Sequence, residues 1–175
     1  MPIDPALQEM IDRIAVEETF SNFLHRVDAH DWLGVRELLA EVVDQDLTSL
    51  LNTARAPGPV SGDEYAEFVK TGVSAFTATH HMSTNFVIAI AGDEATAHSK
   101  MFAYHFMDVP GLTVKFHTTR GWYDTGLRRT GAGWRISRMH IHQTTGEGSP
   151  EIYARLNFAH LPGPRALSAV PTNVS

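Results

Sequence analysis

Ten histidines stand in this chain of 175 residues, and no cysteine. Imidazole is the side chain that gains and loses a proton near neutral pH, so the histidines are where chemistry is sought first. Two of them, His80 and His81, sit where the segment Thr77-Ala78-Thr79 runs through Met82-Ser83-Thr84-Asn85 into the apolar run Phe86 to Ala91. A loop entering a strand holds a side chain against a rigid frame, and proton transfer is expected to gather around His81. The plainer reading of His81 is a strand-start histidine bonded to a backbone carbonyl. Asp28 draws notice for its place at the end of an apolar helical stripe, where the helix dipole disfavours a carboxylate. Asp31 already serves as the next cap, so Asp28 is either a solvated helix end or the partner of another group. His140-Ile141-His142 puts two imidazoles on one strand face, a spacing that zinc and iron sites use. That pattern is short and common, and no metal site is expected.

Composition excludes several classes. Net charge is −6 and the basic residues form no run, which argues against nucleic acid or an anionic membrane as partner. Without cysteine there is no thiolate nucleophile, disulfide or zinc–thiolate site. Hydrophobic residues make up 43%, typical of a globular chain with a core. The longest apolar run, Phe86 to Ala91, is too short to cross a bilayer. Asp4, Glu9 and Asp12 near the start fit no secretory leader, and a cytoplasmic location is expected.

The elements that must position these residues follow from pattern. Asp4-Pro5 reads as N-cap and first helical residue. Leu7, Ile11, Ile14, Phe20, Phe23, Leu24 and Val27 then recur at helical steps, with a gap near Glu17-Glu18. Asp31 caps a shorter helix carrying Trp32, Val35, Leu38 and Leu39. Residues 42–51 are ambiguous, since their acids argue against a buried strand while Leu47, Leu50 and Leu51 need cover. Ala56-Pro57-Gly58-Pro59 breaks the chain, and Ser61-Gly62-Asp63-Glu64 is a capping box opening a third helix with Tyr65, Phe68, Val69 and Val73 on one stripe. Four strands are predicted after it, over 81–91, 95–107, 114–128 and 134–144, with turns at Gly92-Asp93, Pro110-Gly111 and Gly131-Ala132-Gly133. A short helix is expected over 150–158. The reading is one domain over 1–159 and a loosely held tail over 160–175. Helices first and antiparallel strands after give an α+β fold, a curved meander covered on one face by helices, with a pocket between.

Strand alternation sorts side chains by face. Ala97, Ser99, Met101, Ala103 and His105 share one, as do His117, Thr119, Gly121 and Tyr123. Met139, Ile141 and Gln143 share a face opposite His140 and His142. Parity alone does not say which face is inside.

Val27-Asp28-Ala29-His30-Asp31-Trp32 before a short helix, Trp134-Arg135-Ile136-Ser137-Arg138 after a glycine turn, and the helix-then-strand order resemble the SnoaL-like, nuclear-transport-factor-2-like superfamily. Within it the chain is most similar to scytalone dehydratase-like proteins, over roughly residues 8–156. The resemblance implies a cone-shaped sheet of the cystatin-like α+β barrel kind and a cofactor-free lyase or isomerase with a pocket for a small apolar or aromatic-like ligand. It places Asp28, His81 and His105 on the catalytic positions. His81 would act as general acid and base, Asp28 would orient it, and His105 would be second proton donor or substrate anchor. His117 and Thr119 would bind substrate oxygens, and Met139 and Ile141 the apolar side. The two family tyrosines that hold a water on the substrate carbonyl fall on Val27 and Leu47, both aliphatic. Tyr104 and Tyr123 are the candidates to replace them, although Tyr104 has the parity opposite to His105.

The reaction so implied is dehydration of a β-hydroxy carbonyl compound. A base takes the acidified α-proton and an acid protonates the departing hydroxide. One imidazole can do both in sequence, contributing about 10²- to 10⁴-fold. Enolate isomerisation or an aldol-type cyclisation would use the same groups. A non-catalytic binder of a small apolar ligand, or an assembly domain, is the alternative. Phe102, Tyr104, Phe106, Trp122 and Trp134 supply large aromatic area, some of it core, and because one face of a curved sheet in this fold is often covered by another subunit the resemblance implies a dimer or trimer.

Overall fold

The computed structural model describes residues 3–50 and 56–156. The expected tail over 160–175 lies outside the described residues. The element order is α1 (Pro5–Asp28), α2 (Trp32–Glu37), β1 (Leu39–Asp46), β2 (Gly58–Ser61), α3 (Gly62–Val73), β3 (Ala78–Ala91), β4 (Glu94–Phe106), β5 (Phe116–Thr130) and β6 (Gly133–Gly148), closed by a 3₁₀ turn over Pro150–Arg155.

The helix starts follow local chemistry. Asp4 accepts from the amides of Ala6 and Leu7, and Pro5 spends no needed donor at the first turn. Ser61 and Glu64 close the reciprocal capping box that opens α3. The apolar stripe of α1 is the first correction. Phe20, Phe23, Leu24 and Val27 are buried, but Leu7, Ile11 and Ile14 are exposed. The helical phase slips at Glu17-Glu18, and the buried line continues toward the N-terminus through Val16 and Asp12 instead. Asp12 takes both Arg129 amino groups, at 2.7 and 2.6 Å. A bidentate ion pair thus continues the anchoring of α1 beyond Val16, its first buried apolar residue.

The sheet has the order β2-β1-β6-β5-β4-β3. The predicted meander is β3 to β6, and two strands extend it. β1 runs parallel to β6 and antiparallel to β2. Its acids do not prevent a strand, because Asp44 and Asp46 alternate with the buried Val43, Gln45 and Leu47. Only one face of β1 needs to be apolar.

Alternation decides the concave face. Ala97, Ser99, Met101, Ala103 and His105 are all buried, and Phe102, Tyr104 and Phe106 take the convex side. On β3 the inward parity is odd at Thr79, His81 and Ser83 but even at Phe86, Ile88 and Ile90. The switch is a bulge between Thr84 and Val87 with Asn85 at φ 57°. One extra residue flips every side chain beyond it, so a single strand gives the pocket polar groups at one end and the core aliphatic ones at the other. α1 lies across the concave face. Val16, Phe20, Phe23, Leu24 and Val27 pack there with Tyr123, Leu127, Ile136 and Met139. A second, smaller cluster of Phe76, Met107, Leu112 and Ile152 seals the end where the 3₁₀ turn closes.

Candidate active site

His81 and Asp28 meet at the C-terminal end of α1. His81 Nδ1 lies 2.6 Å from Asp28 Oδ1. The His81 amide donates to Asp28 Oδ2 at 2.8 Å, and the Thr79 hydroxyl donates to Oδ1 at 2.8 Å. Three donors from one strand hold a carboxylate that its own helix end disfavours. Burial would raise this carboxyl. The bonds from the His81 ring and amide, the His81 charge and the Thr79 hydroxyl outweigh it, and bring Asp28 down to about 2. Asp28 is therefore an acceptor throughout the neutral range and fixes Nδ1 of His81 as a donor. Nε2 of His81 is left to act.

His81 faces a cavity of about 150 Å³ between α1, α3 and the sheet. Most of its wall is apolar: Leu24, Val27, Leu47, Met101, Met139 and Ile141 line it. The polar groups on the wall are few, namely His81, His105, Thr119, Gln143 and the phenols of Tyr65, Tyr123 and Tyr153. His105 stands edge-on to His81 with ring centroids 5.1 Å apart. Burial, then the neighbouring His81 and His117, push its imidazole down to about 3. It is neutral throughout the neutral range.

The residues singled out in the sequence divide as follows. His81, His105, Thr119, Tyr123, Met139 and Ile141 line the cavity. Asp28 sits behind His81 and reaches the cavity only through it. His117 is not on the wall. It packs edge-on against the Tyr153 ring at 5.2 Å, and among the described residues neither of its ring nitrogens has a hydrogen-bond partner. It fits there because residue 146 is glycine, where a Cβ would stand 2.5 Å from His117 Nε2. Of the two tyrosines considered as replacements, Tyr123 lines the cavity, while Tyr104 stacks on Phe116 at 5.9 Å. Val27 and Leu47 line the wall as aliphatic residues. His140 and His142 are on the other side of the sheet, His140 hydrogen-bonded to Asp44 at 3.1 Å and His142 with its Nε2 3.1 Å from the Asp124 carboxylate. Among the described residues no cluster of three or more His, Asp or Glu is arranged to hold a metal.

Two contributors escaped the sequence reading. Thr79 is two residues before His81 on the same strand, and period-two alternation could have placed it there. Tyr153 donates or accepts at 2.9 Å from His105 Nδ1, and no spacing signals it because the 3₁₀ turn folds back over the sheet end.

Among solved structures, the Kfla4162 protein from Kribbella flavida is 27% identical, matches over 79% of this chain and 95% of its own, and superposes with a TM-score of 0.74. A protein from Novosphingobium aromaticivorans provisionally described as a scytalone dehydratase is 16% identical over 92% of this chain and 97% of its own, with a TM-score of 0.65. The hexachlorocyclohexane dehydrochlorinase LinA-type3 from Novosphingobium barchaimii is 15% identical over 83% and 94%, with a TM-score of 0.65. No curated protein matches the sequence. The neighbours share the unclosed cone-shaped sheet with helices at its N-terminal side, the nuclear-transport-factor-2-like fold. The model of the SnoaL-like domain matches residues 8–140, from the first helix to the middle of the last strand of the cone, and the chain belongs to that family.

Proposed function

We propose that this protein is a cofactor-free enzyme of the lyase or isomerase type that dehydrates a β-hydroxy carbonyl compound with an apolar, polyketide-, steroid- or aromatic-like body. The observation that carries this reading is the 2.6 Å His81–Asp28 bond on the wall of a largely apolar cavity. His81 Nε2 takes the α-proton, leaving an enolate. The Cβ–O bond then breaks, and the same proton passes from Nε2 to the departing hydroxide as water. The enone forms and His81 returns to its starting state, so protons and electrons balance without a co-reactant. Asp28 holds the ring and stabilises the transient imidazolium. In this reading Thr119, Gln143 and Tyr123, which line the cavity, bind substrate oxygens.

The test is a panel of β-hydroxy ketones with aromatic or alicyclic bodies, followed by enone absorbance. Turnover by the wild type, with His81→Ala losing kcat and retaining binding, supports the reading. Binding without turnover in the wild type sinks it. One observation favours that second outcome, a non-catalytic binder: Val27 and Leu47 make the wall more aliphatic than the family enzyme's. The proposal also takes the protein as cytoplasmic and self-associating as a dimer or trimer. Leu7, Met10, Ile11 and Ile14 leave an apolar strip on α1 for such contact, with Ile3 exposed just before it.

A further inference from the structure

The two cavity histidines have different partners. His81 is bonded to a carboxylate, whereas His105 Nδ1 is bonded to the phenol of Tyr153 at 2.9 Å. A neutral imidazole carries one hydrogen, and which nitrogen holds it decides whether His105 offers the cavity a donor or an acceptor. We propose that Tyr153 is a positioning residue that gives its phenolic hydrogen to His105 Nδ1, locks His105 as the Nε2–H tautomer, and so makes His105 a neutral hydrogen-bond donor to a substrate oxygen and not a proton-transfer group.

Four observations support the direction of that bond. The unprotonated imidazole nitrogen is a stronger acceptor than a phenol oxygen, and a phenol is a good donor, so O–H···N is the favoured sense. The other polar neighbour of the phenol, Thr119 Oγ1, is 3.5 Å away, too far to compete for the hydrogen. It can instead turn its own hydroxyl toward the phenol oxygen. The phenol is held in place, because Tyr153 meets Phe76 edge-on at 5.7 Å and its neighbour Ile152 is fully buried in the cluster with Met107 and Leu112. Finally, burial keeps His105 uncharged, so it has one hydrogen to place.

This deepens the acid–base reading and rests on it where substrate is concerned. It separates two roles that the sequence left joined, proton donor and anchor. His105, fixed as a donor, polarises the carbonyl and stabilises the enolate oxygen, as the missing tyrosine pair would have done through water. His81 then handles the proton alone.

Nitrogen-15 NMR of histidine-labelled protein tests the assignment without substrate, the His105 signals being identified by their loss in His105→Gln. Near neutral pH the expected pattern is a pyrrole-like Nε2 and a pyridine-like Nδ1 for His105, with no change to the charged form on going to pH about 5. The reverse tautomer, or a charged ring at that pH, overturns the proposal. In Tyr153→Phe the Nε2–H form is expected to give way to a mixture. An unchanged pattern in that variant also overturns it, because another group would then be setting the tautomer. For a β-hydroxy ketone that the wild type dehydrates, Tyr153→Phe should lower kcat about tenfold, the worth of one hydrogen bond in the transition state, with KM within a few-fold. If the tautomer results hold and no β-hydroxy ketone is turned over, the dehydratase reading fails and the His105 assignment stands.

Discussion

The sheet carries a histidine–aspartate bond on each face, and the two are nearly superimposable as distances. On the concave face His81 meets Asp28 at 2.6 Å, and on the convex face His98 meets Asp124 at 2.7 Å. Their surroundings differ. The inner side chains are 11% and 18% exposed, and the outer ones 44% and 37%. Asp28 receives two further donors from β3, and the ring it holds opens on an apolar cavity. Asp124 is shared with a second imidazole, His142, which stacks on Trp122 at 5.1 Å. A donor–acceptor distance does not make a site. Withdrawal from water, a fixed carboxylate and a cavity at the far nitrogen do, because only there is the imidazole's proton set against a substrate and not against bulk solvent.

The largest expected effect is kinetic. Asp28→Asn should lower kcat by about 10²- to 10⁴-fold on whichever β-hydroxy ketone is turned over, while Asp124→Asn stays within twofold. Equal losses in the two variants would abolish the distinction between the faces.

Asp12 separates burial from function. It is as buried as any carboxylate here and is paired with Arg129, which also lies over the Trp134 ring at 4.4 Å. Asp12→Ala should cost about 2 kcal/mol in urea unfolding, since two charge-assisted hydrogen bonds are lost while Arg129 keeps Asp93 at 3.1 Å and stays partly open to water. In protein that remains folded, kcat should be unchanged. A kinetic loss would show that burial, not access to the cavity, is what matters.

Acid distinguishes the faces next. The unfolded His105 binds a proton below about 6.5, whereas the folded one does so only near 3, so stability is full above 6.5 and falls by about 1.4 kcal/mol per pH unit below it. Asp28 adds a loss of about 2 kcal/mol as pH falls from about 4 to about 2, because its folded pKa is the depressed one. Chemical denaturation of His105→Gln should show a flatter decline between pH 6 and pH 4 than the wild type, at values set by these pKa positions. An equally steep decline would place the acid sensitivity elsewhere.

The smallest effect belongs to the convex pair. His98→Ala should change stability by no more than about 1 kcal/mol, and less as salt is added. A salt-insensitive loss would mean that this face is covered in solution.

Much of this arrangement is legible in the chain. Period two alone groups Ala97 through His105, and Thr119 with Tyr123, so the lining of β4 and β5 follows once one inward residue is known. The caps at Asp4 and Ser61 are local chemistry and can be read directly. The parity switch at Asn85 is not readable from alternation, because asparagine tolerates the left-handed backbone a bulge uses without marking that an extra residue is inserted. β1 was obscured by its acids, which are outward residues of a one-sided strand, Asp44 pairing with His140. His117 had the right parity and still missed the cavity, since Tyr153 stands in front of it. That tyrosine arrives from a turn at the far end of the sequence, and no periodicity reports it.

Of the three hydrogen bonds that fasten Asp28, one comes from the His81 ring, one from the backbone amide at 81 and one from Thr79. Any residue except proline supplies the amide. Position 81 can therefore be rewritten while the end of α1 stays latched to β3, and the fastening outlives the chemistry. A lineage that lost the imidazole would keep the cup and its mouth intact, and could take up a new reaction, or none, without first having to refold.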